Sequence, residues 1–433
     1  MKKVTFKTLG CRLNLYETDA LASKFRERGY VTDGDFETSD AEIVVINTCT
    51  ITNQSDKKSR EYIARARRRG ALVVVTGCMA EQYREIVADE RDVAVIVDNK
   101  HKNRIFDIVE ARLNGLDVDV EDFEGNVFDY SPAKDTFHTR SIVKIQDGCN
   151  NFCSYCIVPY VRGRAVSRPL EEVLDNIRTE LEYGFKEIVL TGVNISKYNS
   201  DGVGFEDLIK RILEIDGDFR LRIASIEPDD FSDSFVELFR NPKLAPHIHL
   251  CLQSGSNDVL KRMHRHYKRE DFFEIVDKFR SVVPDFNVTT DIIVGFPGET
   301  DDDFALTLDA ARRIGFGHIH AFKYSRRRNT KADKMPDQVD EKIKTQRSKV
   351  LRELSDELTA NYLQSMVGKR QRMLSETLDK KGYLYGYGEN YVRIRLKIDN
   401  PQTNVFYDVK IVGIDGEVAT AELVCDVFGV ETP

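Results

Sequence analysis

Ser141–Cys156, SIVKIQDGCNNFCSYC, runs an apolar strand pattern straight into Cys149, Cys153 and Cys156, spaced CxxxCxxC. A strand that ends in a turn dense with ligands is what the C-terminal mouth of a β/α barrel presents. Three thiolates are one fewer than the four protein ligands usual for a structural zinc or an electron-passing iron–sulfur cluster. A zinc ribbon would need a second close cysteine pair, which the chain lacks. The spacing suits a [4Fe–4S] cluster with one vacant corner, open to a small chelating molecule.

The segments that follow repeat the strand pattern. SIVKIQ, EIVLTG, RLRIAS, HIHLCLQS, NVTTDIIVG and HIHAFKYS alternate with helical stretches, which predicts six βα units in a partial parallel barrel. Ahead of it, VTFKTL, IVVIN, LVVVT and VAVIV alternate with helices expected from about Asn14 and over 54–68, 80–87 and 101–113, the pattern of a doubly wound parallel sheet. Ligands bind such sheets beyond the carboxyl ends of the strands. Cys11, Cys49 and Cys78 each follow one of these strands, in LGCRLN, NTCT and TGCM. A scattered cysteine is ordinarily a small buried hydrophobe. Three in equivalent positions, beside Gly or Thr, read instead as a second three-thiolate metal site assembled by the fold.

Residues 116–137 hold seven acids and one Lys without periodicity, a linker pattern. After a charged helix at about 338–363, short β segments predict a small antiparallel barrel. Tyr383, Tyr385, Tyr387 and Tyr391 interleave there with basic residues, a combination that stacks bases and binds phosphates. The expected organisation is α/β: a sheet domain over 1–115, a linker over 116–137, the barrel over 138–365 and the β-barrel over 366–433.

A chain of 433 residues at about 150 per domain is consistent with that division. No apolar run approaches the ~18 residues of a membrane span, and MKKVTFKTLG lacks a signal-peptide pattern, so a cytoplasmic protein without a membrane partner is expected. In that compartment the 8 cysteines read as ligands, reactive thiols or core residues, not disulfides. The net charge of −8 argues against a generic nucleic-acid coat, yet basic runs at 57–69, 261–269 and 366–397 favour an anionic partner.

The CxxxCxxC run resembles that of the radical S-adenosylmethionine enzymes. The resemblance narrows with TLGCRLNxYE (Thr8–Glu17), NTC (Asn47–Cys49), TGCMAE (Thr76–Glu81), GCNNFCSYCIVPYVRGR (Gly148–Arg164), LTGVN (Leu190–Asn194), LQSGSNDVLKRMHRHY (Leu252–Tyr267) and TDIIVGFPGET (Thr290–Thr300). Together these are similar to the methylthiotransferase family, whose TRAM domain the C-terminal β region also resembles. The resemblance implies two [4Fe–4S] clusters: Cys149, Cys153 and Cys156 holding the one that cleaves S-adenosylmethionine, Cys11, Cys49 and Cys78 an auxiliary one. S-adenosylmethionine would serve as radical source and as methyl donor, with Tyr155 beside its adenine, and an external electron donor is implied.

Arg12-Leu13-Asn14 after the first cysteine resembles the branch acting on N6-threonylcarbamoyladenosine beside the tRNA anticodon. Isopentenyladenosine in tRNA and a ribosomal-protein aspartate are the substrates of other branches. A cluster-carrying RNA-binding protein without catalysis is the reading from another class. One departure from the family pattern is Asn329, where Gly is expected before Thr330; Asn tolerates a left-handed backbone, so an intact loop is expected.

Gly192, Asn194, Ser225, Glu227, Gln253 and Asp291 fall at or just after barrel strand ends, where S-adenosylmethionine should lie; such residues also commonly cap the next helix. GFPGET lacks the Lys-Ser/Thr of a P-loop and reads as a pocket wall. The His247/His249 and His318/His320 pairs are expected to be structural, and Cys251 and Cys425 to be core residues.

Overall fold

The computed structural model describes residues 2–85, 93–134, 136, 138–228 and 231–424, and Cys425 lies outside them. Two compact units make up the chain. The first comprises Met1–Gly184, Val189–Ile215 and Ser325–Met335, the second Phe185–Ile188, Asp216–Tyr324 and Pro336–Pro433.

The first unit opens with a parallel sheet of β1 (Lys3–Thr8), β2 (Val31–Asp33), β3 (Ile43–Thr48), β4 (Leu72–Gly77) and β5 (Val93–Val97), in the order β2-β1-β3-β4-β5. In a doubly wound sheet of this order the switch point lies between β1 and β3, where ligands bind. Every residue of β3, IVVINT, is buried, as a central strand covered on both faces requires. β2 was not legible in the sequence, since three partly exposed residues carry no alternation.

Helices α1 (Arg12–Glu27), α2 (Asn53–Arg68), α3 (Cys78–Gln82) and α4 (Ile105–Leu113) cover the sheet. Phe25 of α1 anchors one face, meeting Phe6, Tyr30 and Phe106 edge to face at 5.8, 5.2 and 5.0 Å. α2 begins where the Thr52 hydroxyl accepts the Ser55 amide, an N-cap that fixes its first turn. The helix predicted over 80–87 is realised as α3, and positions 86 and 87 lie outside the described residues.

Among the described residues of 116–137, expected as a linker, four side chains are packed inward while most of the acids are exposed. Val120, Phe128, Tyr130 and Ala133 are buried. The Asn103 amide and the Arg104 guanidinium, just ahead of α4, both bind the Asp129 carboxylate and hold part of the acidic stretch. Its buried positions follow no period, so no local pattern marks them.

The second alternation begins with β6 (Ser141–Lys144), and Ile145 N–H donates to Thr191 O at the end of β7 (Glu187–Thr191) at 3.0 Å. In the second unit come β8 (Arg220–Ile223), β9 (Ser225–Ile226), β10 (His247–Leu250), β11 (Asn287–Val294) and β12 (His318–Lys323). β9 to β12 pair in parallel in that order, each step crossing through helical segments. A helix over Glu341–Ser365 lies along β12, where Ser355 Oγ accepts the Ile319 amide at 3.0 Å.

The chain ends in a closed barrel of β13 (Arg370–Leu378), β14 (Leu384–Tyr387), β15 (Arg393–Leu396), β16 (Phe406–Asp415) and β17 (Val418–Leu423), ordered β13-β14-β15-β17-β16. Four of its pairings are antiparallel and one, β15 with β17, is parallel. Met373, Leu384, Ile394, Leu396, Val409 and Ile411 fill it. Arg220 ties it to β8, donating to Glu187 at 2.5 Å and to the carbonyl of Arg372 at 2.8 Å.

Candidate metal centres

All six cysteines of the two trios lie in the first unit. Cys11 follows β1, Cys49 follows β3 and Cys78 opens α3 after β4, so the dispersed trio stands at the carboxyl end of the sheet around its switch point. The glycines beside these cysteines are required. A Cβ on Gly10, at φ +95°, would lie 2.7 Å from Cys49 Sγ, and one on Gly77, at φ +94°, 2.4 Å from Thr48 O. The loops after β1 and β4 thus close directly onto the end of β3.

Asn14 holds this arrangement, donating to the carbonyls of Leu9 at 2.8 Å and Thr48 at 3.0 Å. Asn47 answers by donating to Asn14 O at 3.0 Å. Burial, then the neighbouring thiols Cys78 and Cys11, push the Cys49 thiol up to about 11. Burial likewise raises Cys78, opposed by the Arg162 guanidinium. Three buried or half-buried thiols at one sheet end, two of them disfavouring their own ionisation through burial, fit a cationic metal centre that would take the thiolate charge.

The compact trio is set by its own loop. Gly148, at φ +67°, passes within reach of the Arg164 carbonyl, where a Cβ would lie at 2.0 Å. The Asn151 amide points at Cys149 Sγ at 3.4 Å, and Cys156 N–H closes a turn on Cys153 O at 2.9 Å. A backbone N–H aimed at sulfur, as that of Asn151 is, suits a thiolate bound to a cluster. Ser154 O accepts the Ala332 amide at 2.8 Å, from the loop that carries Asn329. Asn329 sits at φ 71°, so this loop has the left-handed turn expected of a glycine.

Of the residues expected around S-adenosylmethionine, Gly192 and Asn194 belong to the first unit with Tyr155, which is half-buried. Gln146 joins their loop to the cysteine loop: its Oε1 accepts the amides of Val193 and Asn194 at 2.9 and 2.8 Å, and its Nε2 donates to Asp147 O and Gly148 O. Gly192 has no room for a Cβ, which would lie 3.0 Å from Gln146 Cβ. In the second unit Gln253 and Asp291 are adjacent, the Gln253 amide donating to Asp291 O at 2.9 Å. Gln253 is a non-glycine residue at φ 63°, a strained conformation of the kind retained at functional sites. Glu227 is engaged by Arg265, while Ser225 is exposed.

The structure also gathers residues that had no sequence motif. His249, Cys251 and Asp291 bring one nitrogen, one sulfur and one oxygen within 4.8 Å, although Cys251 was expected only as a core residue. His249 shares Thr289 Oγ1 with His247 and lies 3.2 Å from Asp291. The basic run 261–269 is partly turned inward, with Arg262 on Gly298 O and Arg265 on Glu227. The four tyrosines divide. Arg395 and Lys397 lie over the Tyr383 ring and Arg393 over Tyr385, whereas Tyr387 and Tyr391 stack on one another and Tyr391 on His247.

Sequence reasoning missed Glu17, Lys102, Lys144, Asp147 and Arg162, buried together beside the dispersed trio. The available signals were faint: a Lys inside the apolar strand SIVKIQ, and an Asp and an Arg flanking the cysteine run.

The radical SAM superfamily description matches residues 143–311, and a second family, described as uncharacterized protein family UPF0004, matches residues 3–98. The chain is 40% identical over 400 residues to the threonylcarbamoyladenosine tRNA methylthiotransferase MtaB of Thermotoga maritima, covering 91% of each chain. It is 36% identical to the protein of the same name in Bacillus subtilis, covering 95% of this chain and 94% of that one. It is 35% identical to the tRNA-2-methylthio-N(6)-dimethylallyladenosine synthase of Syntrophus aciditrophicus, covering 88% and 85%. In fold it is similar to the radical S-adenosylmethionine methyltransferase TsrM of Kitasatospora setae, with a TM-score of 0.56 over 77% of each chain at 16% identity.

Proposed function

The chain belongs to the tRNA methylthiotransferase family of radical S-adenosylmethionine enzymes, and on that premise we propose that it adds a methylthio group to C2 of N6-threonylcarbamoyladenosine in tRNA. The substrate choice is carried by one observation, the higher identity to the Thermotoga relative named for that nucleoside than to the Syntrophus relative named for the dimethylallyl one.

In this reading Cys149, Cys153 and Cys156 would hold the cluster that binds S-adenosylmethionine, and Cys11, Cys49 and Cys78 the auxiliary cluster. When bound, these groups supply the radical that opens an inert C–H bond, the sulfur and its methyl. The chain's own residues do the placing. Gln146 locks the cysteine loop to the Gly192–Asn194 turn, and Tyr155 of the cysteine loop is proposed to stand beside the adenine. Ser225, Glu227, Gln253 and Asp291, at or just after strand ends of the second unit, are proposed contacts of S-adenosylmethionine. Tyr383 and Tyr385, with Arg393, Arg395 and Lys397, offer the tRNA a face that stacks bases and neutralises phosphates. Among the described residues no helix is long and apolar enough to cross a membrane, and a cytoplasmic enzyme served by an external electron donor fits a tRNA substrate.

Mass spectrometry of tRNA nucleosides from cells lacking the protein tests the substrate. Loss of 2-methylthio-N6-threonylcarbamoyladenosine with accumulation of its unmodified precursor is the expected result. Loss of the dimethylallyl derivative instead would overturn it.

A further inference from the structure

Glu17 and Asp147 sit among Lys102, Lys144 and Arg162 with every one of the five side chains no more than 2% exposed. Lys102 Nζ lies 2.5 Å from Glu17 Oε2, and Lys144 Nζ 2.9 Å from Glu17 Oε1 and 2.6 Å from Asp147 Oδ2. Arg162 Nη1 lies 3.1 Å from Glu17 and 3.0 Å from Asp147. Three cations face two carboxylates, so these directly bonded groups carry one surplus positive charge. A net charge shut away from water is costly unless an anion adjoins it.

The cations are disposed around the dispersed trio. Arg162 Nη2 donates to Asn14 Oδ1 at 2.7 Å, and Asn14 grips the carbonyls of Leu9 and Thr48, on the chain leading into Cys11 and Cys49. Lys102 Nζ also reaches Asn47 Oδ1 at 3.2 Å, two residues before Cys49. Val161, the neighbour of Arg162, shares an apolar cluster with Cys78.

We propose that this network is the counter-charge of the Cys11, Cys49 and Cys78 site, with Arg162 and Lys102 as positioning residues: its surplus cation offsets the negative charge of the thiolates and their cluster and sets how readily that cluster accepts an electron. The proposal rests on the reading that this trio holds a cluster.

A charge series in the full-length protein loaded with both clusters tests it, following the auxiliary cluster by electron paramagnetic resonance during a reductive titration. Glu17→Gln adds one positive charge to the network, Lys102→Met removes one, and Lys102→Arg keeps it. The midpoint potential is expected to rise in Glu17→Gln, fall in Lys102→Met and return toward wild type in Lys102→Arg. A merely structural role would not give shifts of opposite sign. Shifts of one sign, or none, overturn the proposal. If the Lys102→Met protein does not fold, Glu17→Gln decides alone, a rise supporting the proposal and no rise overturning it. Iron analysis of the wild type separates the two levels: about four irons per chain in place of about eight would overturn the auxiliary cluster itself.

Discussion

Cys78, the last of the dispersed trio, shares an apolar cluster with Ile157, the residue that directly follows Cys156 of the compact trio. Val161 completes this cluster, so the turn after β4 is packed on the segment that leaves the compact trio. The two sites are neighbours through side chains, yet each takes its cysteines from its own backbone loops.

Separate loops predict separable sites. Replacing Cys149, Cys153 and Cys156 together by Ala should abolish 5′-deoxyadenosine formation while about half the iron stays bound. Iron and sulfide analysis alongside a cleavage assay checks this; loss of all the iron would show that one site cannot form without the other.

Gly77 should be indispensable to the dispersed trio. Gly77→Ala places a methyl 2.4 Å from Thr48 O at a φ of +94°, whereas Gly70→Ala, at φ +70°, meets nothing within 4 Å. Gly70→Ala should cost about 1 kcal/mol of backbone strain, and Gly77→Ala clearly more, because a clash with a central strand is added. Thermal unfolding and iron content are the measurements, with iron lost only in Gly77→Ala.

Glu180 should make stability depend on pH. Burial pushes its carboxyl from the ordinary 4.5 up to about 7, although it accepts the Ala133 amide and the Asn176 side chain at 3.3 Å. A raised folded-state value means the contribution is present below 4.5 and is lost as pH rises through about 7. Glu180→Gln should therefore flatten the stability profile across that window, gaining on the order of 2 kcal/mol relative to wild type at its upper end. Urea unfolding at a series of pH values checks it, and an unchanged slope would refute it.

The outward tyrosine face of the C-terminal barrel should carry tRNA affinity. Arg393 and Lys397 are exposed beside Tyr385 and Tyr383. Arg393→Gln with Lys397→Gln should weaken binding and lower the slope of log affinity against log salt by about 2, one per phosphate contact. An unchanged slope would place the tRNA elsewhere. Tyr391→Phe, in a ring stacked on His247 and Tyr387, should leave that slope as it is.

Local pattern in the sequence determined the two cysteine trios, the alternating strands and helices, and the closing β segments, because strand and helix periods and a CxxxCxxC spacing are properties of neighbouring residues. It also determined that Asn329 could stand for Gly, since αL tolerance belongs to the residue itself. Tertiary structure alone decided what joins those pieces. The partners in the Glu17–Arg162 contact stand 145 residues apart, and a buried cation or carboxylate looks in sequence like any surface one. The same holds for β2, for the burial of Val120, Phe128, Tyr130 and Ala133, for the split of the four tyrosines, and for the meeting of His249, Cys251 and Asp291. Each depends on which distant chain segments exclude water together, and no local period records that.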